Sequence, residues 1–532
     1  MEKKKVKLFS AIALVALALL VVGATYAYFQ NQYGSASNAN VKVTTYTTDM
    51  LTFETGSNIN ITAGQDDFAS GRGNKTGQTF TRATLQANNK TNTATAKYNV
   101  YLNIENNTFT YTNTGTPELL LQVVDKTTGN PVTSITGLVY KTVTDGKNTS
   151  ISGFDITNKS GLITILNNKE ISASPKTIEE YTITITFINH NYDQNINTGK
   201  SFNSKVIIQK ERLITSVSDV AKNGDNLVTA IQNLSTKSKP SYTGLYHHDA
   251  SLTNGAADNS YRFAGASDQV NNYVCFGSTQ SPCPADNLYR IIGVFGDKVK
   301  LIKSDYATTA LLGADGVYSK MYTANTGWDN SSYKGNNLTN IAAYNWNKTN
   351  QNTWSLSNLN KLNLNTNFIT NIGADWAAKI VETTWKVGGN TWANIAYQPA
   401  KTAYQNEIVS PVTTNSQDNK TEYSAKIGLM YVSDYMYAAP QDKWTLVGRS
   451  GDASKDYRAA TSVNWMYMGL HEWTVSRYAD ISNGAFFVDS AGSVNYSSVG
   501  DNALGARPVF NLSSSVNYVS GSGTAADPIL VN

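Results

Sequence analysis

The sequence predicts a multi-domain protein, an all-β, jelly-roll-like antiparallel sandwich followed by an α+β domain. Three observations predict it. Residues 8–27 form an apolar segment behind Lys3, Lys4, Lys5 and Lys7. The stretch after them alternates large apolar side chains with Thr and is broken by Asn, Gly and Asp. All nine Trp and both Cys of the 532-residue chain lie in its second half, a compositional shift that separates domains with their own cores.

A basic n-region, an apolar h-region and the small residues in Gly23-Ala24-Thr25-Tyr26-Ala27 make residues 1–28 a signal peptide or an N-terminal membrane anchor, with Ala27 the cleavage position. Both readings stand, because the 20 residues from 8 to 27 can form a helix that crosses a hydrocarbon core about 30 Å thick. Small residues ahead of a polar segment favour removal. In either case the remainder is delivered outside the cytoplasm, so the expected location is extracellular or the cell surface.

Only 15% of residues are charged, against roughly 25% in an ordinary globular protein, so Asn, Thr and Ser carry the polarity. The 40% apolar content suffices for well-formed cores. The formal charge of +4 falls to +1 once the four leader lysines and Glu2 are set aside, and no basic block follows residue 7. Nucleic acid, whose binding needs concentrated positive charge, is therefore excluded as a partner. Membrane contact is expected only through the N-terminal segment.

Residues 29–213 read as the sandwich. In Tyr181-Thr182-Ile183-Thr184-Ile185-Thr186-Phe187 the period of two buries one sheet face and wets the other. Similar signals occur at 97–104, at 119–124 before the turn Thr128-Gly129-Asn130-Pro131, and at 206–209. Strands without intervening helices favour an antiparallel sandwich. With its leader ending in Gly23-Ala24-Thr25-Tyr26-Ala27-Tyr28-Phe29, the region over about residues 1–210 resembles the TasA/camelysin group of bacterial matrix proteins. That resemblance implies an extracellular jelly-roll-like domain able to assemble into fibres. Residues 38–47, with Val41, Val43 and Tyr46 on one face, are a candidate donor strand for a neighbour's sheet, although pairing within their own domain is favoured.

Residues 214–242 are expected to form a helical linker. Leu227, Ile231 and Leu234 fall on one stripe of a short helix interrupted at Gly224, and Lys237, Lys239 and Pro240 lead to a boundary near residue 240.

The α+β domain spans 243–532. Two apolar runs, 287–295 and 298–303, meet at Gly296-Asp297 as a hairpin with the usual order of the turn pair reversed. Leu356, Leu359, Leu362 and Phe368 suggest a helix; further runs at 425–435, 473–477, 486–488 and 505–512 complete a mix of short strands and a few helices. Cys275 and Cys283 enclose seven residues rich in turn formers, and in an exported chain a disulfide is favoured over two free thiols. This ordered series resembles a domain of unknown function common in surface proteins of Gram-positive gut bacteria. Its closing Trp-x-x-Ser-Arg and Gly-x-Arg-Pro-Val elements resemble the C-type lectin-like fold as built in formylglycine-generating enzymes and in bacterial and phage ligand-binding proteins, a likeness of fold that carries no activity with it.

Candidate chemistry is sparse. His471-Glu472 lacks a second His four residues on, where Val475 stands, which removes the metalloprotease reading. His247-His248-Asp249 has no nearby set of four ligands and reads as solvent-exposed loop histidines. A formylglycine-generating catalyst needs reactive cysteines near the C-terminus, and none follows Cys283. In Trp328-Asp329-Asn330 the order of the calcium-dependent lectin motif is reversed, and Gln398-Pro399-Ala400 lacks an acidic ligand, so no metal or cofactor is expected. Arg290, Arg477 and Arg507 are expected to cap carbonyls or to pair with carboxylates such as Asp434. Trp328 and Trp473 are the candidates for stacking on a sugar ring. Residues 521–532 carry no sorting motif, so sortase attachment is not expected.

These observations imply an exported, non-enzymatic surface protein that acts by display, assembly or adhesion. Its expected partners are cell-surface or matrix components, a glycan, or a second copy. The alternative is a dedicated glycan or host-protein receptor.

Overall fold

The computed structural model describes residues 49–68, 73–87, 93–322, 332–335, 337–411 and 421–532. The leader with Ala27, the candidate donor strand 38–47, and Trp328, Asp329 and Asn330 lie outside them. The chain divides into two units, Met1–Arg212 and Leu213–Asn532.

The first unit is built from strands β1 (Met50–Thr55), β2 (Ile59–Thr62), β3 (Lys75–Gln86), β4 (Ala94–Asn107), β5 (Leu119–Asp125), β6 (Tyr140–Thr144), β7 (Ser150–Asp155), β8 (Gly161–Ala173), β9 (Lys176–Phe187) and β10 (Ser201–Gln209). They form a six-stranded sheet in the order β1-β3-β9-β5-β7-β6 and a four-stranded sheet in the order β2-β10-β4-β8. Every pairing is antiparallel. The four stretches with the period-two pattern fall in β9, β4, β5 and β10. Tyr181, Ile183, Ile185 and Phe187 of β9 are buried, as are Leu121 and Val123 of β5. They share one core with Val100, Leu102 and Ile104 of β4 and Phe202 of β10, so two sheets close a sandwich around apolar side chains of both.

In the second unit the segment expected to be a linker is instead part of the core. A helix at Leu227–Lys237 is capped by Asn226, whose Oδ1 accepts from Thr229 N at 3.1 Å. Its Leu227, Ala230, Ile231 and Leu234 pack in the same cluster as Phe263, Ile291 and Val299. An apolar helical stripe needs a surface to cover, and the neighbouring sheet provides it. The boundary therefore lies at 212/213 and not near 240.

That sheet has ten strands. It includes β11 (Leu245–His247), β12 (Tyr261–Phe263), β13 (Tyr273–Cys275), β14 (Leu288–Phe295) and β15 (Lys298–Lys303). The β14–β15 hairpin turns at Gly296-Asp297, with Gly296 at φ 61°, the conformation taken by Gly at the first central position of a type II′ turn. The reversed order of the turn pair thus fits this turn. Strand Val509–Leu512 pairs with β15, and Ile529–Val531 runs parallel to β13. The start of the unit is tied to its end, since Leu227 N donates to Val516 O, Gly224 N to Tyr518 O, and Tyr518 N to Asp225 O. Cys275, in β13, is disulfide-bonded to Cys283 with the Cα atoms 5.8 Å apart.

The helix expected around 356–368 winds as a π-helix over Leu359–Phe368. Its wider i→i+5 turn buries Leu359, Asn360, Asn363, Leu364 and Phe368, while Leu356 is exposed and Leu362 only half-buried. The buried amides are satisfied: Asn360 Nδ2 donates to Trp354 O and Asn363 Nδ2 to Leu312 O. Among the described residues no helix is long and apolar enough to cross a membrane.

Candidate functional site

The candidate site stands on a four-stranded sheet of the second unit made by Gly389–Asn390, Glu472–Tyr478, Gly484–Val488 and Val494–Ser498. Antiparallel register sets Phe486 opposite Tyr496. Tyr478, at the end of the central strand, stacks on Tyr496 with centroids 4.2 Å apart. Beyond Asn390 the chain turns and brings Trp392 edge-on to Tyr496 at 5.3 Å, and Tyr397 stacks on Trp392 at 5.4 Å with only 16° between the planes.

The result is an aromatic ledge. Tyr478 is its buried base, Trp392 is half-buried, and Tyr496 and Tyr397 are 36% and 54% exposed. The Arg449 guanidinium lies 5.7 Å from the Trp392 ring, and its NH1 is 3.8 Å from Asp489 Oδ2. Such rings present electron-rich faces to the CH groups of a sugar, while Arg449 can meet hydroxyls. Rings and a guanidinium so arranged can bind a ligand by stacking and hydrogen bonding.

Trp473 does not belong to this surface. It is fully buried on the central strand, its indole N–H donates to Tyr344 O at 2.8 Å, and its ring packs against Phe487. A strand buried on both faces leaves no ring for a ligand, which corrects the expectation for Trp473; Trp328 lies outside the described residues. The ledge residues were missed in the sequence. A detectable signal existed in Trp392-Ala393-Asn394-Ile395-Ala396-Tyr397 and in Val494-Asn495-Tyr496, where Tyr496 falls in an exposed position of a short strand.

The histidine pair also departs from expectation. His247 stacks on Tyr261 at 4.3 Å, whereas His248 is wholly buried against Tyr437 and Trp444, so it is no exposed loop residue. Its Nδ1 accepts from Ala256 N at 3.0 Å, and burial, aided by the Arg262 charge, pushes its pKa down to about 2.

Arg290 and Arg507 are scaffold. Arg290 donates to Asn272 Oδ1, Ser267 O and Val270 O, and Arg507 makes a bidentate pair with Glu472 at 2.7 and 2.8 Å. Asp434 serves different cations. Its Oδ2 receives Lys300 Nζ at 2.5 Å and its Oδ1 lies 3.9 Å from Arg262 NH1. Arg262 in turn pairs with Asp258 at 2.6 Å beneath the rings of Tyr404 and Tyr437. Glu407 is buried nearby, accepts from Val432 N and Ser433 N, and is driven by burial to hold its proton more tightly.

In the first unit a surface cavity of about 310 Å³ is lined by Gln122, Val124, Val132, Tyr140, Ile151 and Ser152, among others, with no acid or base in its lining. Among the described residues no group of three His, Cys, Asp or Glu side chains is arranged to hold a metal ion. No known family model matches the chain, and neither a curated protein nor a solved structure matches it.

Proposed function

We propose that the chain is an exported cell-surface protein of structural and adhesive role, in which the second unit holds a glycan on the aromatic ledge and the first unit serves display and assembly. The observation that carries the adhesive role is the graded exposure of Tyr478, Trp392, Tyr496 and Tyr397 around one stacked cluster. A soluble domain gains nothing by leaving stacked aromatic faces in water unless something covers them. The disulfide is compatible with an oxidising compartment, and the basic, apolar leader supports export. The resemblances to the TasA/camelysin group and to surface domains with a C-type lectin-like fold agree with this role, and the protein works without turnover.

A glycan array probed with the full mature chain tests it. Binding to a defined set of hexose-containing glycans, lost in Trp392→Ala, is the expected result; an empty array, or binding indifferent to Trp392 and Tyr496, defeats the adhesive role. Assembly is a separate reading, favoured by the two-sheet sandwich, whose outer strands among the described residues are β1, β6, β2 and β8. Electron microscopy of the concentrated protein would reveal fibres if it holds and only dispersed particles if it does not.

A further inference from the structure

Lys300 on β15 and Asp434 are only 6% and 3% exposed. The Lys300 Nζ lies 4.7 Å from the Tyr431 ring centroid, 5.3 Å from that of Phe295 and 5.8 Å from that of Trp385, so aromatic walls shield it from water. Its hydrogen-bond partner is Asp434 Oδ2 at 2.5 Å, and an amine so placed sits about 3–3.5 Å from the carboxyl carbon, the separation of a near-attack pair. Tyr431 N also donates to Oδ2 at 3.0 Å, which fixes the carboxyl group's orientation. On the other oxygen, Arg262 NH1 stands 3.9 Å from Oδ1.

We propose that Lys300 and Asp434 join in an intramolecular isopeptide bond, Nζ to Cγ, formed by the folded protein itself with release of one water. Two full charges in an apolar cage are each desolvated at a cost of several kcal/mol. Transfer of one proton from Nζ to Oδ2 cancels both and leaves a neutral amine against a carboxylic acid. The Nζ lone pair then attacks Cγ, and the negative charge collects on Oδ1, where the Arg262 guanidinium offsets it. A second Nζ proton passes to the Oδ2 hydroxyl, the Cγ–Oδ2 bond breaks, and water departs as the carbonyl re-forms on Oδ1. One C–N bond replaces one C–O bond, no electrons change hands, and no co-reactant is needed. Arg262 keeps its partner Asp258, so the product leaves that guanidinium paired. The bond would fasten β15 of the large sheet to the short helix Val432–Tyr437, across 134 residues of sequence. This proposal is independent of glycan binding.

The test is the intact mass of the full chain, purified, denatured and with its disulfide reduced, compared with the mass calculated from its sequenced N-terminus. The expected result is a mass lower by one water, with a branched proteolytic peptide linking positions 300 and 434, and a return to the full mass in Lys300→Arg, which keeps the charge but removes the nucleophilic amine. A wild-type chain of full sequence mass overturns the proposal and leaves an ordinary ion pair. So does a missing water mapped to any other residue. The wild-type mass decides even where the variant does not fold.

Discussion

A single half-buried ring governs the ledge. Trp392 touches Tyr397, Tyr478, Phe486 and Tyr496, so it holds its neighbours and, in the proposed adhesive role, would also stack on the ligand. Loss of one stacking face is worth about 1–2 kcal/mol. Tyr496→Ala, whose ring is more exposed, should therefore weaken glycan affinity about tenfold by calorimetry while leaving the melting temperature nearly unchanged. Trp392→Ala should lower both. His248 acts on a different property. Its folded pKa, about 2, lies below the ordinary 6.5, so the unfolded chain takes up a proton that the folded chain refuses. Stability contributed by His248 is complete above pH 6.5 and falls as the pH drops from there toward 2, by roughly 3 kcal/mol at pH 4. Urea titrations across that range should show the slope, and His248→Asn, which can still accept from Ala256 N, should flatten it.

At the scale of elements, the helix Leu227–Lys237 separates a linker from a core piece. Ile231 is fully buried within the large cluster, so Ile231→Ala should destabilise the second unit by about 2–4 kcal/mol in thermal unfolding, where an exposed linker would give a value near zero. The disulfide closes a short loop, and Cys275→Ser with Cys283→Ser should lower stability by roughly 2–3 kcal/mol in denaturant titration. The strands were legible because Thr-Ile alternation at 181–187 has one physical solution, a half-buried strand. The hairpin at 296–297 was legible for a similar reason, since Gly supplies the positive φ its turn demands. The π-helix was not, because the spacing Leu356, Leu359, Leu362 fits a tighter coil and only tertiary anchors such as Asn363 on Leu312 reveal the wider one. Nor was the ledge: Trp473 and Trp392 are the same residue type, and their different burial follows from strands that pair far apart in sequence. Asp434 was expected to serve one of Arg290, Arg477 and Arg507, but its cations, Lys300 and Arg262, come from β15 and β12, which no local pattern links to it.

For the whole molecule, export is the premise on which display rests. N-terminal sequencing of protein recovered from culture medium and from membranes should give a start just after Ala27 in the medium fraction. An intact leader in both fractions would instead assign the anchor, and intact protein confined to cytosol would refute export altogether.

The pairing of residues 224–227 with 516–518, and of β13 with Ile529–Val531, has a temporal consequence. A nascent chain cannot latch its large sheet until residues 516–531 have emerged, because the seam needs both margins of the unit at once. Contacts so distant along the backbone make folding slow. On the proposed export, that delay would keep the polypeptide pliable while it threads a narrow pore, and rigidity would follow once residues 529–531 are through.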